Sequence, residues 1–258
     1  MIQLEHIEVA YGRERPVLAL ESLRIAPGER VAIIGPSGAG KSTLLRCLKG
    51  FVRPRRGKVE VLGVNLACSG QSARRAVNQR VALIYQQFRL VPRLSVLENT
   101  LCGRLGHTHR WRSLFGWFTP EDTRAAWAAI IEVGLTKKVH QRADTLSGGE
   151  QQRVAVARAV AQEPELILAD EPVSSLDPAW AADVLELLTT VQSHHHATLV
   201  MTLHQPELAR GFAQRVIGLR AGHIVWDGPA GDLTDDNLQA LYGSDQSNYV
   251  PFRHDATA

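Results

Sequence analysis

One stretch of the chain constrains its fold more than any other. Gly35-Pro36-Ser37-Gly38-Ala39-Gly40-Lys41-Ser42-Thr43 matches the pattern G-x-x-x-x-G-K-[ST]. It follows an all-apolar run, Val31-Ala32-Ile33-Ile34, and opens a stretch from Lys41 to Lys49 with Leu44, Leu45 and Leu48 on one side. A short uninterrupted apolar run suits a strand buried on both faces of a parallel sheet. The leucine spacing suits an amphipathic helix. Strand, glycine-rich loop and helix in that order make a phosphate-binding loop. Its glycines let backbone N–H groups turn inward, and the helix N-terminus adds positive partial charge. Lys41 is expected to reach the β- and γ-phosphates of a nucleotide, and the Ser42 hydroxyl to ligate Mg²⁺.

Buried strands and helices alternate along the rest of the chain. Residues 1–35 read as β structure, with apolar positions at Ile2, Leu4, Ile7 and Val9 and again from Leu18 to Ile25. Lys58–Leu62, Val81–Tyr85, Leu166–Ala169 and Thr198–Leu203 read as further strands, and residues 178–192 and 206–212 as helices. Three helix-like segments near 95–102, 120–133 and 148–161, with no strand between them, suggest a helical subdomain inserted at about 90–162. Val216–Leu219 and His223–Trp226, split by Ala221-Gly222, suggest a closing hairpin. The expected fold class is therefore α/β with a parallel sheet, an N-terminal antiparallel β subdomain and an inserted α-helical subdomain. One domain is expected over residues 1–243, with a polar tail over 244–258.

Composition narrows the class. The chain has 258 residues, 45% hydrophobic and 21% charged, which excludes disorder and collagen-like repetition. A net charge of +3 does not argue for a nucleic-acid binder. Cys47, Cys68 and Cys102 are scattered, with no C-x-x-C, which speaks against a disulfide framework or zinc site and for a reducing compartment. No signal peptide is expected, and no apolar run approaches the ~20 residues that span a bilayer. These patterns point to a soluble, cytoplasmic chain that reaches a membrane by binding something that spans it.

Two further motifs carry chemistry. Leu166-Ile167-Leu168-Ala169-Asp170-Glu171 ends a strand in two carboxylates. Asp170 suits a Mg²⁺ contact through water, and Glu171 suits the base that polarises an attacking water. Leu146-Ser147-Gly148-Gly149-Glu150-Gln151 opens a helix, with Ser147 as its N-cap and glycines that leave backbone N–H groups bare. From physics alone it is a second anion site or an ordinary capped helix.

Together these residues resemble an ATP-binding cassette ATPase over about residues 2–243. The Leu-Ser-Gly-Gly element is specific to that family, and Glu150 stands where Gln is commoner. The resemblance implies a P-loop NTPase, RecA-like core acting on ATP with Mg²⁺. It implies that Tyr11 stacks on adenine and that Gly35, Pro36, Ser37, Gly38, Ala39, Gly40, Lys41, Ser42 and Thr43 cradle the phosphates. Gln86, at the end of its strand, resembles a Q-loop glutamine that touches Mg²⁺ and senses the helical subdomain. Ser42, Gln86 and Asp170 would then be the metal contacts. Ser174-Ser175-Leu176-Asp177 resembles the D-loop, and His204 the switch histidine that acts with Glu171 in catalysis. In this family two cassettes face head to tail, so that Ser147, Gly148 and Gly149 of one close over ATP held by the other.

A single cassette resembles the ATPase subunit of a membrane importer more than the soluble cassettes that act on DNA or ribosomes, which carry two cassettes or a long coiled coil. Gln86–Val91, Leu94–Asn99, Gly103-Arg104-Leu105-Gly106, Trp111–Gly116 and Gln141-Arg142-Ala143-Asp144 look like the phosphonate importer ATPases. An importer of a polar amino acid or another oxyanion is the alternative. The resemblance implies a second copy of the chain, an integral membrane permease and, indirectly, a periplasmic substrate-binding protein as partners, with no nucleic acid. It implies a peripheral location on the cytoplasmic face of the inner membrane. Three lesser features stay open. His194-His195-His196 is a solvated helix end or an adventitious metal site, and Arg53–Lys58 a basic exposed turn. Trp111, Phe115, Trp117 and Phe118 are core packing or a docking face.

Overall fold

The computed structural model describes residues 1–12, 15–108 and 116–243. The tail from 244 and the aromatic positions Trp111 and Phe115 lie outside the described residues. Two compact units divide the chain, Met1–Ser69 with Val200–Ala258 and Gly70–Leu199.

In the first unit, β1 (Ile2–Val9) pairs antiparallel with β2 (Leu18–Ile25) and with β4 (Arg56–Val61), and β5 (Val64–Asn65) follows β4 in a sheet ordered β2-β1-β4-β5. The apolar pattern of β1 changes parity midway. Ile2 and Leu4 are buried, then Ile7 and Val9. One residue out of step would turn Ile7 and Val9 to the wrong face. The chain absorbs it as a bulge at His6, whose φ is 47°, and the register with β4 shifts between Glu5 and Glu8. Gly57 lies against that bulge, where an added Cβ would come 2.4 Å from the carbonyl oxygens of Glu5 and His6.

The same unit holds β3 (Arg30–Ile34), whose last four residues are fully buried. It runs parallel to β9 (Arg215–Arg220), and β10 (His223–Pro229) returns antiparallel on β9. With β8 (Thr198–Thr202) the order is β10-β9-β3-β8, and the boundary between the units falls within β8. Helix α1 (Lys41–Leu48) buries Leu44, Leu45, Cys47 and Leu48.

The second unit contains α2 (Gln71–Arg80), β6 (Val81–Ile84), α3 (Val96–Leu101), α4 (Pro120–Glu132), α5 (Gly148–Val160), β7 (Leu166–Asp170) and α6 (Pro178–His195). Strands β6 and β7 are parallel. Helices α3, α4 and α5 pack on one another. Each begins at a capping box, Ser95 with Glu98, Thr119 with Asp122 and Ser147 with Glu150. Reciprocal side-chain bonds of this kind satisfy first-turn amides that the helix itself cannot.

A buried ion pair binds these helices. Arg104 Nε donates to Asp122 Oδ1 at 3.0 Å, and its Nη1 donates to Ala161 O at 3.0 Å and Glu163 Oε2 at 2.8 Å. Next to it, a Cβ on Gly103 would lie 2.1 Å from Arg158 O. The Gly103-Arg104-Leu105-Gly106 stretch thus packs and ties the helices.

Helices α7 (Pro206–Phe212) and α8 (Asp235–Tyr242) belong to the first unit. Residues 71–80 carry no apolar stripe to mark α2 as a helix, since Val77 is the one residue it buries.

Candidate functional site

The phosphate-binding loop begins where β3 ends. Ile34 sits opposite Gly218 in the parallel pairing with β9, and Gly35 continues past the strand tip. Carboxyl ends of parallel strands are where α/β sheets place ligands. Gly35 is enforced by its neighbour, since a Cβ there would come 2.0 Å from Leu219 O. Gly40 has φ 105° and caps α1, and Leu44 N donates to its carbonyl at 2.9 Å.

Lys41 is almost fully buried, and its ammonium donates to Gly35 O at 2.7 Å and Pro36 O at 3.1 Å. The loop therefore curls around its own lysine. Tyr11 is 44% exposed, with its hydroxyl 3.4 Å from Thr43 Oγ1. That exposed ring beside the loop can stack on a flat aromatic ligand. Leu203 N donates to Ile33 O at 3.0 Å, which ties the residue before His204 to β3 just ahead of the loop. The Tyr242 hydroxyl donates to His204 O at 3.5 Å. Tyr11, the loop and His204 thus share the first unit.

Gln86, Asp170 and Glu171 share the second. Ile84 of β6 pairs with Ala169 of β7, so both strands run out at the same end. Gln86 lies two residues past Ile84 and is exposed, and Asp170 and Glu171 follow Ala169 directly. Glu171 has φ 49°, a left-handed conformation that costs a non-glycine residue about 1–3 kcal/mol. The turn beyond it supplies support, as Ser174 donates to Glu171 O through its amide at 3.3 Å and its hydroxyl at 3.2 Å.

The turn after Gln86 is also unusual. Phe88 and Arg89 have φ of 30° and 50°. Arg158 of α5 holds both, donating to Phe88 O at 2.7 Å and Arg89 O at 2.6 Å. Burial pulls the Arg158 pKa below its ordinary value. The Arg89 guanidinium lies 4.1 Å from the Tyr85 ring centroid, a cation–π distance.

Ser147 caps α5, accepting from Glu150 N at 3.4 Å, while Glu150 Oε2 accepts from Ser147 N at 3.0 Å. The other Glu150 oxygen pairs with the Lys138 ammonium. That pairing, followed by the bonds from Ser147 and against the pull of burial, keeps the Glu150 carboxyl below its usual pKa. Glu150 in place of Gln is therefore a capping residue with its own cation. The box uses the amides of Ser147 and Glu150, and those of Gly148 and Gly149 remain for an outside acceptor.

The lesser features resolve simply. His194 Nδ1 and His195 Nε2 lie 3.2 and 3.0 Å from the two oxygens of Glu132. No group of His, Cys, Asp or Glu among the described residues is arranged to hold a metal ion. Arg53, Arg55 and Arg56 are exposed on their turn, and Lys58 pairs with Glu60. Trp117 is 67% exposed. Burial pushes the Cys47 thiol up to about 12, which makes it inert.

Known proteins with the same features are numerous. The ABC transporter family matches residues 20–174. A "Phosphonates import ATP-binding protein PhnC" of Stutzerimonas stutzeri is 45% identical over 249 residues, covering 95% of this chain and 90% of that protein. "Phosphonates import ATP-binding protein PhnC 1" of Rhodopseudomonas palustris (strain HaA2) is 42% identical over 245 residues, covering 95% and 88%. Among solved structures, "Dimeric Structure of MJ0796, a Bacterial ABC Transporter Cassette" superposes with a TM-score of 0.77 at 30% identity, covering 90% of this chain and all of that one.

Proposed function

The chain belongs to the ATP-binding cassette (ABC) transporter family, and from that membership we propose that it is the ATP-hydrolysing subunit of an importer that takes up phosphonates. The observation that carries the substrate is 42–45% identity across 95% of the chain to proteins named for phosphonate import. No helix among the described residues is long and apolar enough to cross a membrane. The transport path therefore belongs to a partner permease, which the chain joins as a peripheral subunit on the cytoplasmic face. A periplasmic binding protein delivers the phosphonate to that permease.

The substrate of the chain itself is ATP with Mg²⁺, and the residues present suit it. The loop has no room for a side chain at Gly35 or Gly40, as a close backbone cradle requires. Lys41, Ser42 and Thr43 serve the phosphates with Gly35, Pro36, Ser37, Gly38, Ala39 and Gly40, and Tyr11 serves the adenine. Ser42, Asp170 and Gln86 would be the residues to hold Mg²⁺, whose charge would neutralise the leaving phosphates. Glu171 takes the proton of the attacking water, and His204 keeps the terminal phosphate in place. Ser147, Gly148 and Gly149 present two amides and a hydroxyl to the ATP of a second copy, arranged head to tail. Gln86 relays the state of the nucleotide to α3, α4 and α5, and through them to the permease. Domain boundaries at 1–243, with helical insertion at about 90–162, follow from the same reading.

Growth of a deletion strain on a phosphonate as sole phosphorus source tests the substrate. Loss of growth, restored by the wild-type gene, is expected. Normal growth in a strain with no second importer would refute phosphonate and leave the ATPase untouched.

A further inference from the structure

The Ser147-Gly148-Gly149 element is backed by side chains outside its motif. Gly149 is buried, and a Cβ there would come 2.7 Å from Cε3 and 2.9 Å from Cδ2 of the Trp180 indole. Contacts that short do not occur, so the ring and any side chain at 149 exclude each other. One residue earlier, a Cβ on Gly148 would meet Leu176 Cδ2 at 3.7 Å. Leu176 belongs to the Ser174–Asp177 turn, and Trp180 to the first turn of α6, whose cap is Asp177 accepting from Trp180 N at 3.1 Å. The turn that follows Glu171 therefore lies against the first turn of α5. Trp180 remains 38% exposed, although burying an indole is strongly favourable. A large half-exposed ring pressed onto a glycine fixes the direction of the helix end bearing the free amides of Gly148 and Gly149.

We propose that Trp180 is a positioning residue: acting through Gly149, it sets the pose of the Ser147–Gly149 amides and locks them to the Ser174–Asp177 turn of the same chain. The proposal rests on the reading that these amides engage ATP held by a second copy. Glycine at 149 is then required by the indole behind it as well as by any ligand in front.

The test uses the full chain with Trp180→Ala and Trp180→Phe, alone and with Gly149→Ala. Four quantities are read: affinity of dilute monomer for a fluorescent ATP analogue, ATP-dependent dimerisation in a Glu171→Gln background, and kcat and KM of the permease-bound subunit. Expected for Trp180→Ala is monomer affinity within about twofold of wild type, with dimerisation and kcat down about tenfold and KM little changed. Trp180→Phe should recover most of the loss, since a ring still backs the glycine. Gly149→Ala should be relieved by Trp180→Ala, because removing the indole makes room for the methyl group. Dimerisation of Trp180→Ala at the wild-type level overturns the proposal. So do Gly149 and Trp180 losses that simply add, which would put the need for glycine on the ligand side. A loss that follows melting temperature alone, with Phe no better than Ala, makes Trp180 a packing residue and also overturns it. If the Glu171→Gln protein with Trp180 intact fails to dimerise on ATP, the head-to-tail reading itself has failed.

Discussion

Asp122→Ala is expected to be among the most destabilising single substitutions in the second unit. The Asp122 side chain is 5% exposed, as is that of its partner Arg104. One carboxylate oxygen accepts from Arg104 at 3.0 Å, and the other accepts from Thr119 N at 3.0 Å and Thr119 Oγ1 at 2.8 Å. Removing it does two things. It strips the capping box of α4, which costs about 1 kcal/mol. It also leaves the Arg104 guanidinium with less compensation in a buried place, and breaking a buried pair from one side costs about 3–5 kcal/mol. Glu163 still accepts from Arg104, but its own side chain is 60% exposed and it offsets only part of the loss. At about 2–4 °C per kcal/mol, a loss of about 3–5 kcal/mol lowers the melting temperature by about 6–20 °C.

Circular dichroism melts and urea titrations at pH 7 measure this directly. The pH dependence gives a second check. Burial alone would raise the Asp122 pKa, but the bonds from Thr119 and Arg104 outweigh it and hold the pKa below the ordinary carboxylate value. A group depressed in the folded state contributes stability above its unfolded pKa of about 3.9 and loses it as pH falls through the folded value. The gap between wild type and Asp122→Ala should therefore be constant near neutrality and close below about pH 4. The double variant Arg104→Met/Asp122→Leu should regain much of the loss, because apolar residues can replace a buried ion pair at little cost. A loss under about 1 kcal/mol for Asp122→Ala, the range of exposed pairs, would refute the reasoning.

Glu171→Gln should keep ATP binding and lower hydrolysis by about 10²–10⁴-fold, and near-normal turnover of the permease-bound variant would remove Glu171 as the base. Lys49 is 8% exposed at the C-terminal end of α1, and burial pulls its pKa down to about 8. Its folded pKa lies below the unfolded value of about 10.4, so charging it opposes folding fully below pH 8 and the effect fades as pH rises towards 10.4. Lys49→Met should therefore stabilise the protein at pH 7 and much less at pH 10; equal gains at both would contradict the assignment. Both amide atoms of Gln152 in α5 are buried without a hydrogen-bond partner among the described residues. Gln152→Met should hold or raise the melting temperature, since an orphaned buried amide costs about 1–3 kcal/mol, and a fall of several degrees would refute the idea that the amide is orphaned.

Local signals determine the strand–loop–helix around Lys41, the strand ending in Asp170-Glu171 and the cap at Ser147. Each is set by adjacent residues: an apolar run, glycines, a carboxylate, a hydroxyl. The change of apolar parity between Leu4 and Ile7 was present in the chain, yet only pairing with β4 turned it into a bulge at His6 with Gly57 as its counterpart. Other features needed the tertiary structure. Residues 104, 122 and 163 form one ion network, buried at Arg104 and Asp122, through packing that no spacing rule encodes. Arg158 holds the backbone at 88 and 89, some seventy residues earlier, and nothing in its own helix marks it for that task. Nothing local marks Trp180, in the first turn of α6, as the ring that lies against Gly149. Sequence determines what one segment does with its own neighbours, because those contacts are imposed by the covalent chain. Contacts between distant side chains depend on how the segments pack, and packing is set by the shape of the whole core.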